Sequence, residues 1–166
     1  MNRPFWKLLR RFVVLVAFMF WQGGFLFYAS VVVPIGTDVF GSAAEQGFVT
    51  QRVTQYLNLS GAVCLVLLAW DAWAGADCAR WRRGLLWLLW MVMAATLATL
   101  ACLHVRLDAL LDPEYRIVLD GGFYQLHRVY LYTQTVQWAA AMIYAAIMLW
   151  AWHAEDVQNT TGERAT

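Results

Sequence analysis

Four stretches of this chain pass without a single Asp, Glu, Lys or Arg: Phe12 to Thr37, Val53 to Trp70, Gly84 to Leu103 and Val129 to Trp152, of 26, 18, 20 and 24 residues. An ionised side chain at the centre of a bilayer costs roughly 2.5–3.5 kcal/mol even on a lenient insertion scale, so such runs mark membrane spans. Crossing ~30 Å of hydrocarbon takes about 20 helical residues. Each run suffices, the second because Thr50 and Gln51 extend its beginning. Barrel strands would alternate apolar and polar residues over ~10 positions, and these runs do not. Only 14% of the 166 residues are charged and 61% are hydrophobic, against about a quarter charged in an ordinary soluble domain. The expected fold is therefore all-α, an integral membrane four-helix bundle with spans at about 10–35, 50–72, 84–106 and 125–152. Residues 1–154 are expected to form one transmembrane domain and 155–166 a disordered cytoplasmic tail. A net charge of +1 argues against a nucleic-acid partner, which needs a concentrated basic surface.

Basic residues orient such a bundle, because Lys and Arg in short connections stay cytoplasmic. Arg3, Lys7, Arg10 and Arg11 precede the first span, Arg80, Arg82 and Arg83 lie between the second and third, and Arg164 is in the tail. The opposite side has Arg52, Arg106, Arg116 and Arg128. Both termini are thus expected in the cytoplasm, with the chain in the cell's inner (plasma) membrane. Aromatic belts fit this orientation: Trp6, Trp70, Trp73, Trp81, Trp87, Trp90, Trp150 and Trp152 near the inner interface, Tyr28, Tyr56, Tyr115, Tyr124, Tyr130 and Tyr132 near the outer one. The first apolar run is too long for a secretory h-region of 7–15 residues and reads as a retained signal-anchor helix. Cys64, Cys78 and Cys102 fall at different depths, so the ~7 Å Cα approach a disulfide needs is not expected.

Pro34 with Gly36 is expected to loosen the end of the first span, and Ser42-Ala43-Ala44-Glu45 reads as a capping box opening a helix that continues into the second. The short connection from Asp71 to Arg83 makes spans two and three an antiparallel hairpin. Between spans three and four, Val105 to Leu126 mixes leucines with charges and suits a helical outer loop on the membrane surface, stopped at Asp112-Pro113 and turned at Asp120-Gly121-Gly122. Gly23-Gly24, Ala94 with Ala98, and Ala141 with Ala145 offer close helix crossings.

Polar residues inside spans normally face protein rather than lipid. Helical spacing aligns Gln51, Gln55 and Asn58 in span two and His127, Tyr130, Gln134 and Gln137 in span four, with Thr96 and His104 in span three and Gln22 and Ser30 in span one. Gln51, Gln55, Asn58, Tyr130, Gln134 and Gln137 are candidates for an outward-opening polar pocket. The other reading is interhelical glue, at roughly 0.6 kcal/mol per contact. His104 and His127 end their spans at similar depth and could ligate haem b or a metal ion, with Asp108, Asp112 or Asp120 as further oxygen ligands. Helix-end histidines also serve simply as caps or partners at an interface. No Ser-His-Asp set, H-E-x-x-H, Walker lysine or dinucleotide fingerprint is present, so no catalytic residue is assigned and enzymatic activity is not expected.

The stretch Phe25-Leu-Phe-Tyr-Ala-Ser-Val-Val-Val-Pro34, and Phe123-Tyr-Gln-Leu-His127-Arg-Val-Tyr130 at the start of the last span, resemble the transmembrane protein 205-like family, a four-helix membrane domain of unknown function. The likeness covers roughly residues 10 to 153. Arg128 and Val129 stand where small residues are expected after the Leu-His pair. Only Pro34 and His127 carry over, and the family implies no catalytic role for either. The expected function is that of a non-catalytic membrane protein, an accessory or scaffold subunit or a handler of small solutes, without a cofactor. The alternatives are a haem b or metal-binding electron carrier using the outer histidines, and a small oligomeric transporter. Expected partners are the lipid bilayer and other membrane subunits or further copies of the chain.

Overall fold

A computed structural model describes residues 3–75, 79–110 and 121–164. Cys78, Asp112, Pro113 and Asp120, and with them most of the expected outer surface turn, lie outside the described residues. The described elements are α1 (Arg3–Phe18), a π-helical stretch (Met19–Gly23), α2 (Gly24–Phe27), a second π-helical stretch (Tyr28–Val32), α3 (Val33–Phe40), α4 (Ala43–Ala74), α5 (Arg80–Asp108) and α6 (Gly121–Arg164). No strand occurs among the described residues. Four helical stretches are long and apolar enough to cross a membrane, Phe5–Phe40, Glu45–Ala74, Arg80–Asp108 and Gly122–Thr161, as expected of a multi-pass membrane protein.

Pro34 does not end the first helical stretch. Proline lacks an N–H and its ring crowds the carbonyl four residues back, here that of Ser30. The wider π turn over Tyr28–Val32 lies directly before it, and Pro34 itself falls in the first turn of α3, where a missing N–H is tolerated. The helix then runs on to Phe40 and stops at Gly41, which is left-handed at φ 67° and donates its N–H to the Thr37 carbonyl. Ser42 is the cap the sequence predicts: its hydroxyl accepts the Glu45 N–H at 3.4 Å. The first two long helices are thereby joined by Gly41 and Ser42 alone.

In sequence order, α1 packs on α4, α4 on α5, and α5 on α6. Trp21 sits flat against Gly61, where a Cβ would stand 2.6 Å from the indole Nε1. That crossing was not among those predicted, whereas nothing lies within 4 Å of a Cβ placed at Gly23. Ala141 is in the core but Ala98 faces outward. Cross-helix bonds to α4 reach backbone carbonyls from both neighbours: Trp90 Nε1 of α5 donates to Leu65 at 2.8 Å, and the buried Tyr144 hydroxyl of α6 donates to Leu68 at 3.3 Å. At the far end, α6 continues to Arg164. Residues 155–164, expected as part of a disordered tail, continue α6, and Glu155 and Asp156 at their start are ion-paired with Arg11 of the first helix.

Candidate functional site

The polar groups of the helix interior form a ladder on α4 that the sequence reading placed one face away. The row engaged by neighbouring helices runs from the buried Gln46 through the half-buried Thr50 and Thr54 at steps of four; Asn58, one step on, and Gln51 are half-buried too, whereas Gln55 faces outward. Tyrosines on neighbouring helices set this rotation. The Tyr28 hydroxyl donates to Thr50 Oγ1 at 3.0 Å and accepts from Gln46 Nε2 at 3.3 Å, while Thr50 donates to the Gln46 carbonyl. The Tyr130 hydroxyl lies beside Thr54. On α6, Gln134 Nε2 donates to Gln137 Oε1 at 3.3 Å, and Gln137 Nε2 reaches the Met93 carbonyl of α5 at 3.4 Å. Of the predicted pocket residues, Asn58, Tyr130, Gln134 and Gln137 share this interior.

A fourth amide joins them in height. The first helix meets α4 antiparallel, with Tyr28 at Thr50, Gly24 at Leu57 and Trp21 at Gly61. Gln22 therefore lies level with Asn58. Between α4 and α6 one offset relates Thr54 to Tyr130 and Leu68 to Tyr144, and it sets Asn58 level with Gln134. Gln22, Asn58, Gln134 and Gln137 thus make an uncharged carboxamide layer about 18 Å along the helix from Arg10 at 1.5 Å per residue. Gln22 is 4% exposed, and neither Oε1 nor Nε2 of its buried amide has a hydrogen-bond partner among the described residues. It sits in the π-helical stretch Met19–Gly23, the kind of irregularity frequently found at functional positions.

The end of the assembly that carries the N-terminus holds ionised groups instead. Arg10 Nε lies 2.8 Å from Asp71 Oδ1, whose other oxygen accepts the Trp152 indole N–H at 2.9 Å. Arg11 spans Asp156 through one nitrogen (3.0 and 2.8 Å) and with the other donates to Glu155 at 2.9 Å and to the Trp152 carbonyl at 3.0 Å. Its guanidinium carbon rests 5.2 Å from the centre of the Trp152 ring. Lys7 reaches Asp156 at 2.7 Å and Glu155 at 3.3 Å. Beside this clasp lies a cavity of about 30 Å³ walled in part by Asp71, Gly75, Arg83 and Glu155. Sequence reading took these cations only as orientation signals. The overlooked signal was the set of acids, Asp71, Glu155 and Asp156, at the matching ends of the second and fourth apolar runs.

The two histidines stand in different surroundings. His104 Nε2 lies 3.5 Å from Asp108 Oδ2, one helical turn on, while His127 stacks on Phe123 with ring centres 6.0 Å apart. Among the described residues no group of three or more His, Cys, Asp or Glu could hold a metal ion. Cys64 and Cys102 are free thiols.

Comparison of the chain with family models, curated proteins and solved structures finds no match in any of the three. The likeness to the transmembrane protein 205-like family rests on its two short motifs.

Proposed function

We propose that this chain is a non-enzymatic four-helix protein of the plasma membrane, with both termini in the cytoplasm, that handles a small neutral solute. The observation that carries this reading is Gln22: a buried carboxamide midway along the first span, with donor and acceptor both unpartnered among the described residues. A buried amide without partners is costly, and interhelical glue would have paired it across the bundle. Asn58, Gln134 and Gln137 stand at the same height, all uncharged, which suits a molecule that itself donates and accepts hydrogen bonds and excludes ions by the cost of removing their water. Light-scattering relaxation of proteoliposomes challenged with urea or glycerol tests it. Wild-type protein should equilibrate one of these solutes faster than protein-free vesicles, and Gln22→Leu should remove the difference; equal rates for all three would sink the reading.

A second reading, an accessory subunit or self-associating transporter, is favoured by an apolar groove along α1 and α4 that includes Phe12, Val16, Tyr56 and Ser60. Crosslinking in native membranes that captured only monomers would remove it.

A further inference from the structure

We infer that the arginine-tryptophan face at the α5 start is a binding site for the phosphate headgroup of an anionic phospholipid. The argument begins with how the cations are divided. Lys7, Arg10 and Arg11 are all matched to carboxylates in the clasp. At the same end of the assembly, Arg80 and Arg83 are exposed, and although Arg83 also borders the cavity beside Asp71 and Glu155, no ion pair among the described residues joins either arginine to a carboxylate.

The tryptophans around the start of α5 set this end at headgroup height. Arg83 donates to the Trp73 carbonyl at 3.1 Å, and Arg82 lies over two indoles, 5.7 Å from the Trp81 ring centre and 5.2 Å from that of Trp150. The indoles themselves meet edge to face at 5.3 Å, joining the start of α5 to α6. Trp73, Trp81 and Trp150 are all exposed on the lipid side, where indole rings sit at the level of the glycerol backbone. Guanidinium groups recognise phosphate through paired N–H donors, and basic pockets between membrane helices on the cytoplasmic side take anionic headgroups. The leaflet assignment rests on the N-in orientation proposed above, whereas the chemistry of the site does not.

The test is native mass spectrometry of full-length protein taken from mixed vesicles of phosphatidylcholine and phosphatidylglycerol, beside Arg80→Gln and Arg80→Gln/Arg83→Gln. At about 1 kcal/mol per surface arginine, the double variant should lose roughly thirtyfold in preference for phosphatidylglycerol and the single variant roughly fivefold. Among the described residues Arg80→Gln leaves no carboxylate unpaired, and an unchanged unfolding midpoint for this variant separates lost lipid binding from lost folding. Equal retention of both lipids by wild type, or a preference untouched by either variant, would overturn the site. Displacement of the lipid by inorganic phosphate would also overturn it, in favour of a free-anion site. Selectivity retained while labelling finds Arg80 on the outer face would condemn the orientation alone.

Discussion

Arg10 and Asp71 meet at 2.8 Å with side chains only 10% and 5% exposed, so the ion pair that joins the first helix to the second is almost wholly withdrawn from water. Removing one member of a buried pair leaves the other charge uncompensated, at roughly 3–5 kcal/mol. Asp71→Asn should therefore lower the unfolding midpoint in detergent markedly, and the loss should be smaller when Arg10→Met accompanies it. By contrast, Asp156 is 53% exposed, and Asp156→Asn should cost less than about 1 kcal/mol. Equal effects of the two single substitutions would show that the clasp is not organised around Asp71.

Gly61 and Gly23 should answer alanine in opposite ways. A methyl at Gly61 would have to displace the buried Trp21 ring, standing 2.6–2.9 Å from three of its atoms, whereas one at Gly23 meets nothing within 4 Å. Overpacking of this kind costs about 1–3 kcal/mol. Thermal unfolding of Gly61→Ala should be lowered accordingly, with Gly23→Ala at or above wild type.

Tyr28 holds the register between the first helix and α4 through its two bonds to Thr50 and Gln46. Tyr28→Phe should cost about 0.5–1.5 kcal/mol, the net worth of an ordinary internal hydrogen bond, and Thr50→Val added to it should cost little more. A double-mutant cycle in detergent unfolding checks the coupling.

His104 and His127 are engaged separately, with Asp108 and with Phe123. Protein purified from haem-replete cells should give no Soret band, oxidised or reduced. A Soret band lost in both His104→Ala and His127→Ala would restore the electron-carrier reading.

A cysteine placed at Gly41, in the turn between the first two long helices, should react with an impermeant maleimide from outside the cell, and one at Asn159 only after lysis. The reverse pattern would invert the proposed topology.

The long helices were legible because absence of charge over about 20 residues has one cheap explanation. The Ser42 cap was legible too, since a hydroxyl bonding an N–H three residues on is a local device. Helix rotation was not. Whether Gln51 and Gln55 or Thr50 and Thr54 turn inward is decided by tyrosines on other helices, and the steps of three and four that align either row are the same. Pro34 is expected to loosen the helix because its cost is visible in sequence, while the π turn directly before it is not. Likewise Glu155 and Asp156 read as the start of a polar tail until their partners, at the opposite end of the chain, came into view.

That long separation between partners also has a meaning in time. Glu155 and Asp156 are made after all four apolar helices, so while the first helix inserts Lys7 and Arg11 lack the carboxylates that later hold them. On the N-in orientation proposed above, the charges that steer the first helix are therefore a property of the nascent chain, silenced once α6 docks. A finished molecule would display its steering signal only as neutral pairs, and the completed clasp would record that the last helix had arrived.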